Sequence, residues 1–372
     1  MKRDKCIAFY CSSLSWGGLE MNLVNRAKWF NEAGYDLTFY SVKNAPITKH
    51  LITCKINQAD VNRPKKYLAI KSGYKLFRYL KKSNISRLVI SDNRDMSTIA
   101  WAKFFSYGKI KTVYIQQMML GVPKKDIIHT LRFKQIDYWI SCLPYLKKQL
   151  LIWTKIKAEK IHVIPLSVEI DNILSSMTED EAREQLKLPK NKTLIGVIGR
   201  IDPQKGQLQV LEAYSQITDL YPDVELVFMG ESTKNEGKEY MNSIISLINE
   251  KKLQTKVHII GFDNRVSLFY KAINVFVLSS KGETYGMVTV EAMVNGKTII
   301  ATNSGGTPDL LENGKWGRLY EPGNVGQLHT QLEKILSDIS QTKESELLKK
   351  YAAERFNHKK ELQALIEIVQ NS

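Results

Sequence analysis

Short apolar runs alternate with longer segments of helical periodicity along the chain. In the first half, the apolar runs predict strands at residues 6–13, 35–42, 87–91, 112–117 and 138–142. Helical patterns lie among them, at about 19–33 and 65–82. Strands that alternate with helices of this length are typical of parallel βαβ units.

The second half repeats the pattern with near-continuous apolar runs, at residues 194–199, 224–230, 257–262, 275–280 and 298–302. Helical patterns separate or follow these runs, at about 206–220, 236–252, 265–273, 286–295, 325–338 and 342–355. Near-continuous apolar runs suit strands that are covered by helices on both faces. The pattern therefore predicts an α/β protein with two Rossmann-like domains in tandem, joined near residues 164–172.

Composition places the chain among globular proteins, since 43% of its 372 residues are hydrophobic and 25% are charged. The net charge of +16 is concentrated in one half. Residues 1–170 carry 30 Lys and Arg against 11 Asp and Glu, a net charge of +19, whereas residues 171–372 carry 24 against 27, a net charge of −3. This asymmetry predicts that the basic half contacts an anionic molecule or surface.

Two basic stretches of the first half also contain aromatic side chains. Residues 65–82 carry seven Lys or Arg and no acidic residue, and residues 145–157 carry four Lys around Trp153. Such stretches suit an anionic membrane interface, although each is also compatible with a solvated helix face.

Three features of the sequence bear on location. The four cysteines show no CxxC or zinc-type spacing, which is typical of a reducing compartment. The apolar stretch near the basic N-terminus is short and predicts a strand rather than a signal peptide. No stretch approaches the roughly 18 apolar residues of a spanning helix. We expect a cytoplasmic protein, and the basic half leaves open a peripheral position on the inner face of the cytoplasmic membrane.

Glycine-rich turns follow the first predicted strand of each half. Gly17 and Gly18 precede a helix, where free amides and the helix dipole favour a phosphate, although a tight turn without a ligand fits equally well. After the first strand of the second half, Arg200 and Lys205 lie on a loop that leads into another helix near Gly206. Two cations beside free amides suit a diphosphate.

A third turn, GETYGMVTVEAMVNG at residues 282–296, carries two carboxylates. Glu283 precedes Gly286 at the turn, and Glu291 lies eight residues further on, within the predicted helix. Carboxylates accept hydrogen bonds well from the paired hydroxyls of a ribose or hexose, although the helix dipole alone also favours an acid near this position. A Gly-Gly turn at residues 303–314 follows the next strand, at the same edge of the predicted sheet.

Together these loops resemble those of the retaining nucleotide-sugar glycosyltransferases of family 4, which have the GT-B fold of two Rossmann-like domains facing each other across a cleft. The resemblance covers most of the chain and is strongest over residues 193–325. The family has an Arg and a Lys after the first strand of the second domain, two Glu separated by seven residues, a Gly-Gly-x-Pro-acid loop and a glycine-rich N-terminal loop. The matching residues are Arg200 and Lys205, Glu283 and Glu291, Gly305, Gly306, Pro308 and Asp309, and Gly17 and Gly18.

The resemblance implies a division of labour between the domains. Residues 1–165 would form the acceptor domain and residues 166–356 the donor domain, with a final helix at about 357–372 that packs back on the first. Glu283, Arg200 and Lys205 would be the catalytic groups. The implied donor-binding set is Gly17, Gly18, Gly199, Arg200, Lys205, Gly261, Phe262, Glu283, Tyr285, Gly286, Met287, Val288 and Glu291.

Within that set, the resemblance implies distinct roles. Arg200 and Lys205 would bind the donor diphosphate, and Glu291 the ribose hydroxyls. Glu283 would hold the transferred sugar together with the amides of residues 285–288, and the loop at residues 261–262 would contact the base.

The chain departs from the family pattern at two places. Many members carry a histidine near the reacting sugar, where this chain has Gln116 and Gln117. A glutamine can donate to a sugar hydroxyl or orient the acceptor, but it cannot carry a proton. The usual Asn-Gly at the interdomain join is also absent, since Leu166 and Ser167 follow Pro165.

The implied reaction moves a hexose-type sugar from a nucleoside diphosphate sugar to a hydroxyl of a bacterial surface-glycan or lipid-linked acceptor, of lipopolysaccharide, O-antigen or capsule type. UDP is the favoured carrier on family frequency. We expect no cofactor and no metal, because the sequence has no Asp-x-Asp pair and no cluster of metal-ligand spacing. Cations and helix amides would then stabilise the leaving diphosphate.

Other functions remain open at this point. Within the same fold, a nucleotide-sugar epimerase or a glucan synthase would use the same donor site. A basic nucleic-acid-binding protein would explain the charge, but the sequence has no recognisable binding module and its second half is slightly acidic, so we expect no nucleic-acid partner. A dehydrogenase is disfavoured because neither first strand leads into GxGxxG.

Overall fold

Two parallel β-sheets organise the structure, a computed structural model that describes residues 5–232, 238–338 and 342–370. Each sheet lies in its own compact unit. One unit comprises the chain up to Pro165 together with the segment from Lys359, and the other spans Leu166–His358. The prediction of two Rossmann-like α/β domains is confirmed.

The described part of the first unit contains the strands β1 (Cys6–Cys11), β2 (Asp36–Val42), β3 (Asn57–Val61), β4 (Arg87–Ile90), β5 (Lys111–Gln116), β6 (Tyr138–Ser141) and β7 (Ile161–Val163). They pair in parallel in the order β3-β2-β1-β4-β5-β6-β7. The helices of this unit are α1 (Gly18–Glu32), α2 (Pro46–Thr53), α3 (Ile70–Lys82), α4 (Met96–Phe105), α5 (Ile127–Lys134) and α6 (Pro144–Trp153), joined by the last helix of the chain, α16 (His358–Gln370).

The second unit carries the strands β8 (Thr193–Ile198), β9 (Val224–Met229), β10 (Val257–Ile260), β11 (Val275–Leu278), β12 (Thr298–Thr302) and β13 (Arg318–Tyr320), in the parallel order β10-β9-β8-β11-β12-β13. Its described helices are α7 (Ile170–Ile173), α8 (Glu179–Gln185), α9 (Gln207–Ser215), α10 (Lys238–Glu250), α11 (Val266–Ala272), α12 (Met287–Val294), α13 (Thr307–Leu310), α14 (Val325–Leu336) and α15 (Thr342–Arg355).

Burial explains which runs form the central strands. All six residues of β9 are buried, and so are all four of β11, because helices cover both faces of the sheet. The strand order reverses between β1 and β4 in the first sheet and between β8 and β11 in the second. Ligands of open α/β sheets bind at such switch points, beyond the carboxyl ends of the strands.

The sequence prediction missed or misplaced several elements. β3 has the polar sequence NQADV and lies at the edge of its sheet, so it lacks the apolar signature of a covered strand. β7 and β13 have three residues each, too few for a periodic pattern. The helix predicted at 65–82 begins only at Ile70. The predicted strands at 257–262 and 275–280 end two residues early, and the remaining residues belong to loops.

The last helix contacts α1 of the first unit through a buried ion pair. Arg26 on α1 and Glu361 on α16 approach to 2.5 Å, and both side chains are at most 1% exposed. Near the end of α16, the carbonyl of Val369 accepts a 2.6 Å hydrogen bond from the Arg87 guanidinium at the start of β4. These contacts fix both ends of α16 to the first unit.

Candidate active site

Three loops follow the central strands of the second sheet and meet at its carboxyl edge. The loop after β8 spans residues 199–206, the loop after β11 spans 279–286, and the loop after β12 spans 303–306. The carboxyl ends of parallel strands share one edge of a sheet, so the predicted candidate residues on these loops are brought together.

Two glycines allow the backbones of these loops to touch. Gly206 has φ +70°, and a Cβ there would lie 2.3 Å from the carbonyl oxygen of Ser279. Gly305 has φ +59°, and a Cβ there would lie 2.0 Å from the carbonyl oxygen of Glu283. No side chain fits at either separation, and both backbone conformations favour glycine. The three loops are therefore in close backbone contact. We call the surface that residues 199–206, 279–286 and 303–306 form together the floor of the site.

Lys205 and Glu283 form the centre of this floor. The Lys205 ammonium contacts Glu283 Oε1, and the Ser280 hydroxyl donates a 2.9 Å hydrogen bond to the same oxygen. The Lys205 and Glu283 side chains are 27% and 16% exposed. The ammonium is therefore accessible to a ligand while it holds the carboxylate. Two cross-loop bonds fix this geometry, one from the Ser279 hydroxyl to the Lys205 carbonyl (2.6 Å) and one from the Gly306 amide to the Glu283 carbonyl (2.9 Å).

Arg200 lies on the same loop as Lys205 but points to solvent. Its side chain is 68% exposed, and its nearest acidic neighbour is Asp202, at 3.6 Å. The structure thus separates the two predicted diphosphate ligands: Lys205 is fixed at the floor, whereas Arg200 is free to reorient toward an anion. Gly199, which has φ +140°, precedes Arg200 and has open space above its Cα.

The helix α12 begins directly behind Glu283. Gly286, with φ +84°, is its N-cap, and no side chain caps the helix. The amides of Met287 and Val288, at the first two helical positions, have no carbonyl partner within the helix. The first turn also contains no acidic residue. The positive end of the helix dipole is therefore available to an anion or to a sugar hydroxyl.

Tyr285 has a different role from that of its neighbours. Its side chain is buried, and its hydroxyl donates a 2.6 Å hydrogen bond to the carbonyl of Leu166. The ring thus anchors the segment that enters the second unit, so only its backbone remains as a candidate ligand group.

Glu291 lies one turn further along α12, in a half-buried position. The Tyr270 hydroxyl is 3.0 Å from Glu291 Oε2 and 2.8 Å from the carbonyl of Val288. One hydroxyl hydrogen cannot satisfy both acceptors fully. Burial raises the pKa of Glu291 to about 7, and the Tyr270 hydrogen bond opposes this shift. Among the described residues, the carboxylate therefore shares its hydrogen-bond donor, Tyr270, with a backbone carbonyl.

Gly261 and Phe262 follow β10, two strands away from β8. The Phe262 side chain is 73% exposed. A Cβ on Gly261 would have its nearest neighbour, Glu231 Oε1, 3.9 Å away. The ring is therefore free to stack on a planar ligand.

In the first unit, Gly17 and Gly18 lie at the start of α1, after the loop that follows β1. No atom lies within 4 Å of a Cβ built on Gly18, so neither packing nor φ requires glycine there. At the start of this loop, the Ser12 amide donates a 3.1 Å hydrogen bond to Asp95, and the Ser12 hydroxyl contacts the other carboxylate oxygen. Desolvation, followed by repulsion from Asp92, raises the pKa of the fully buried Asp95 to about 7.

Sequence reasoning missed Asp95. Its only signal was its place just after a strand, in a segment rich in Asp and Asn. The partner, Ser12, is 83 residues away, so the pairing emerges only from the sheet order.

The two glutamines expected on the acceptor side differ in the structure. Gln116 is 1% exposed, accepts a 3.2 Å hydrogen bond from Trp139 Nε1 and donates to the carbonyl of Met118. Gln117 is 9% exposed, accepts from Asn22 and donates to the carbonyl of Leu19. Gln116 is a core residue with both amide atoms occupied, so the structure does not support its expected contact with an acceptor. Gln117 follows β5 directly, and its two hydrogen bonds connect the end of this strand to α1.

Within the described residues, no group of three or more His, Cys, Asp or Glu side chains is arranged to hold a metal ion. Across the same ranges, no helix combines the length and the apolar character required to cross a bilayer.

The chain matches the family model of the glycosyl transferases group 1 over residues 178–369, just over half of its length. The chain belongs to this family. The matched region contains the loops of Lys205, Glu283 and Gly305, so family membership and the geometry of the floor point to the same part of the molecule.

Curated relatives carry glycosyltransferase names. A Salmonella typhimurium lipopolysaccharide 1,2-N-acetylglucosaminetransferase is 30% identical over 188 residues, which cover 47% of this chain and 49% of the relative. An uncharacterised glycosyltransferase of Haemophilus influenzae is 24% identical over 355 residues, 90% of this chain and 91% of the relative. The aligned part of the chain thus spans about half of the Salmonella enzyme and nearly all of the Haemophilus protein.

Solved glycosyltransferase structures share the fold over nearly the whole chain. A Rickettsia africae glycosyltransferase superposes with a TM-score of 0.87 at 21% identity, covering 98% of both chains. Anabaena HepE in complex with UDP superposes with a TM-score of 0.86 at 21% identity, covering 98% of this chain and 100% of HepE. These structures show that the fold is that of the GT-B glycosyltransferases, whereas membership of a transferase family rests on the family model.

Proposed function

We propose that the chain is a metal-independent, retaining glycosyltransferase of family 4 that transfers a hexose-type sugar from a UDP-sugar to a hydroxyl of a bacterial surface-glycan or lipid-linked acceptor. The observation that carries this proposal is the pairing of Lys205 with Glu283 beside the uncapped start of α12. A cation, a carboxylate and free amides on one floor suit a ligand that has both phosphates and sugar hydroxyls.

The diphosphate would bind to the cations of the loop after β8. Lys205 has three donor hydrogens, so it can contact a phosphate oxygen and keep its contact with Glu283. The Ser280 hydroxyl also holds Glu283 and would keep the carboxylate oriented when the phosphate draws on Lys205. Arg200, exposed and on the same loop, would close on the second phosphate as a fork donor.

The transferred sugar would lie between Glu283 and the first amides of α12. As the bond between C1 of the sugar and the diphosphate oxygen breaks, negative charge grows on the leaving phosphate. Lys205, Arg200 and the positive end of α12 would stabilise that charge without a metal. The acceptor oxygen would attack C1 on the face that the diphosphate leaves, and the acceptor proton would pass to the departing phosphate.

The nucleoside would extend along the same edge of the sheet. The Glu291 carboxylate shares the Tyr270 hydroxyl with a backbone carbonyl, and the two ribose hydroxyls would supply further donors. The exposed ring of Phe262 would contact the base. UDP is favoured as the carrier because HepE, which shares the fold, has been crystallised with UDP and with UDP-glucose.

The acceptor class is supported by the relatives and by charge. The Salmonella relative acts on lipopolysaccharide, and an Escherichia coli relative, 28% identical over 183 residues, is named for a diphosphoundecaprenol-linked acceptor. A first half with a net charge of +19 suits an acceptor that is anionic or held at an anionic membrane, at the inner face of the cytoplasmic membrane. Membership of a transferase family also favours this function over nucleic-acid binding.

A ligand screen and a product assay test the proposal. We expect UDP and UDP-sugars to raise the melting temperature more than GDP, ADP or their sugars, since a ligand at one hundred times its Kd stabilises a protein by about 2.7 kcal/mol. Transfer should be unaffected by EDTA, and the product should keep the anomeric configuration of the donor in NMR spectra. Failure of every nucleotide to stabilise the protein would refute the donor site. Donor epimerisation without an acceptor would instead identify an epimerase.

A further inference from the structure

Exposed large apolar side chains are concentrated on the first unit. Of the 24 such side chains in the described residues, 18 belong to the first unit and six to the second. Isolated exposed apolar residues are ordinary, whereas a contiguous set indicates a binding surface.

One contiguous set lies on α3, α4, α5 and the turn before α3. We call this surface the apolar face and define it by Leu68, Tyr74, Phe104, Ile127, Ile128 and Leu131, which are between 47% and 75% exposed.

The α3 and α4 parts of the apolar face are in close contact. A Cβ built on Gly73 of α3 would lie 2.4 Å from the Cβ of Trp101 on α4. The backbone of α3 at Gly73 is therefore packed directly against the Trp101 side chain. The ring of Tyr74 lies 5.2 Å from that of Phe105, and the ring of Phe104 lies 5.7 Å from the same ring. Tyr74 and Phe104 therefore belong to one aromatic cluster.

The turn before α3 connects this cluster to α5. The ring of Tyr67 lies 6.3 Å from His129 and 5.2 Å from the guanidinium of Arg132, both on α5. The neighbouring carbonyl of Lys66 accepts a 2.8 Å hydrogen bond from Ser97 on α4. The turn that carries Leu68 thus contacts α4 through Lys66 and α5 through Tyr67, so the exposed residues of the apolar face belong to elements that touch one another.

The charged residues on α3 and on the segments that flank it are all basic. Between Asp60 and Asp92 the sequence contains nine Lys or Arg and no acidic residue. Within the described ranges, none of the cations at residues 65–82 forms an ion pair. On the α5 side, Asp126 precedes Ile127, but it is bonded to His129, and Lys124 and Lys125 lie just before it. The charge near these exposed aliphatic and aromatic side chains is therefore positive in sum.

From this combination we propose that the apolar face docks on an anionic lipid bilayer. The inference deepens the proposed function, on which it rests for the acceptor, by naming the surface that contacts the membrane. Aliphatic side chains such as Leu68 and Ile127 would enter the headgroup boundary, and Lys71 and Lys75 would contact anionic headgroups. A nucleic acid would use the cations and the rings but not the aliphatic side chains. A second copy of the chain would oppose two faces of like charge.

Vesicle flotation of the full-length chain tests the apolar part. We expect flotation with vesicles of phosphatidylcholine and phosphatidylglycerol, little flotation with phosphatidylcholine alone, and loss of binding at high salt. The double variant Leu68→Glu, Ile128→Glu should reduce the partition coefficient by roughly tenfold or more. The control Leu220→Glu replaces a side chain that is 67% exposed on the second unit and should bind like the unchanged protein.

Single charge removals test the electrostatic part. Lys71→Gln and Lys75→Gln should each weaken binding to the anionic vesicles by roughly fivefold. The control Lys334→Gln removes an exposed cation from α14 of the second unit and should have no such effect. All of these side chains are exposed, and melting temperatures close to that of the unchanged protein would verify that each variant folds.

Three results would overturn the inference: equal binding to neutral vesicles, unchanged binding of the Leu68→Glu, Ile128→Glu variant, or RNA binding in place of vesicle binding. The proposed function fails separately. If UDP does not stabilise a chain that still binds vesicles through the apolar face, the donor assignment is wrong and the docking surface stands. If UDP stabilises the chain but vesicles do not bind it, the docking surface is wrong and the donor assignment stands.

Discussion

Replacement of Glu291 by glutamine tests two things: whether this carboxylate binds the donor, and whether its ionisation lowers the stability of the folded chain. Burial raises the pKa of Glu291 from 4.5 to about 7, so the folded chain holds a proton that the unfolded chain releases between these values. Ionisation therefore favours unfolding. The free energy of unfolding falls as the pH rises from about 4.5 to 7, and the loss is complete above pH 7.

The magnitude follows from the two pKa values. At about 1.4 kcal/mol per pH unit, the gap of roughly 2.5 units corresponds to at most about 3.5 kcal/mol at pH 8. A glutamine side chain cannot ionise, so Glu291→Gln should stabilise the ligand-free protein by up to that amount at pH 8 and by less than about 1 kcal/mol at pH 5. The conservative variant Glu212→Gln, at an exposed position on α9, should shift stability at neither pH.

The same substitution should weaken UDP binding. A charged carboxylate that accepts a hydrogen bond contributes about 1.5–3 kcal/mol, so loss of one such bond reduces affinity by roughly 10- to 100-fold. For the unchanged protein, UDP affinity should also decline as the pH falls below 7, because binding requires the ionised form. Calorimetric unfolding at pH 5 and pH 8, together with UDP titrations of both variants, measures both effects. A Glu291→Gln variant with unchanged stability at pH 8 and unchanged UDP affinity would refute this account.

Three further substitutions probe other parts of the molecule. Lys205→Ala should lower kcat/KM by the equivalent of about 2–4 kcal/mol, whereas the neighbouring Lys281→Ala should retain near-normal activity; equal losses would contradict the assignment. Gly305→Ala should lower the melting temperature and weaken nucleotide binding, because its Cβ would lie 2.0 Å from a backbone oxygen; a normal melting curve would exclude that packing. Glu361→Ala should reduce the free energy of unfolding, measured in urea, by about 3–5 kcal/mol, because it leaves Arg26 buried without its partner; a loss below about 1 kcal/mol would indicate that the pair is weak.

Local sequence patterns were sufficient to predict the α/β class, the two domains and the loops of the second unit. Near-continuous apolar runs encode strands that are covered on both faces, and β8, β9, β11 and β12 were found within two residues of their predicted ends. Short or polar edge strands were not predicted. In β3, for example, most residues are not buried, so its sequence lacks the apolar run of a covered strand. The spacing of Arg200 and Lys205 and of Glu283 and Glu291 led to the candidate site only through the resemblance to a known family, and the roles of these residues stay predictions.

What each candidate does depends on tertiary contacts that no local pattern records. The fold pairs Lys205 with Glu283, directs Arg200 to solvent, places Gln116 in the core and makes the ring of Tyr285 an anchor. It also bonds the Ser12 loop to Asp95 and brings α5 into contact with the turn before α3. These outcomes depend on residues that are distant in sequence but adjacent across a sheet or a helix pair. A local pattern records which face of an element is apolar, whereas strand order and helix packing determine which side chains meet there.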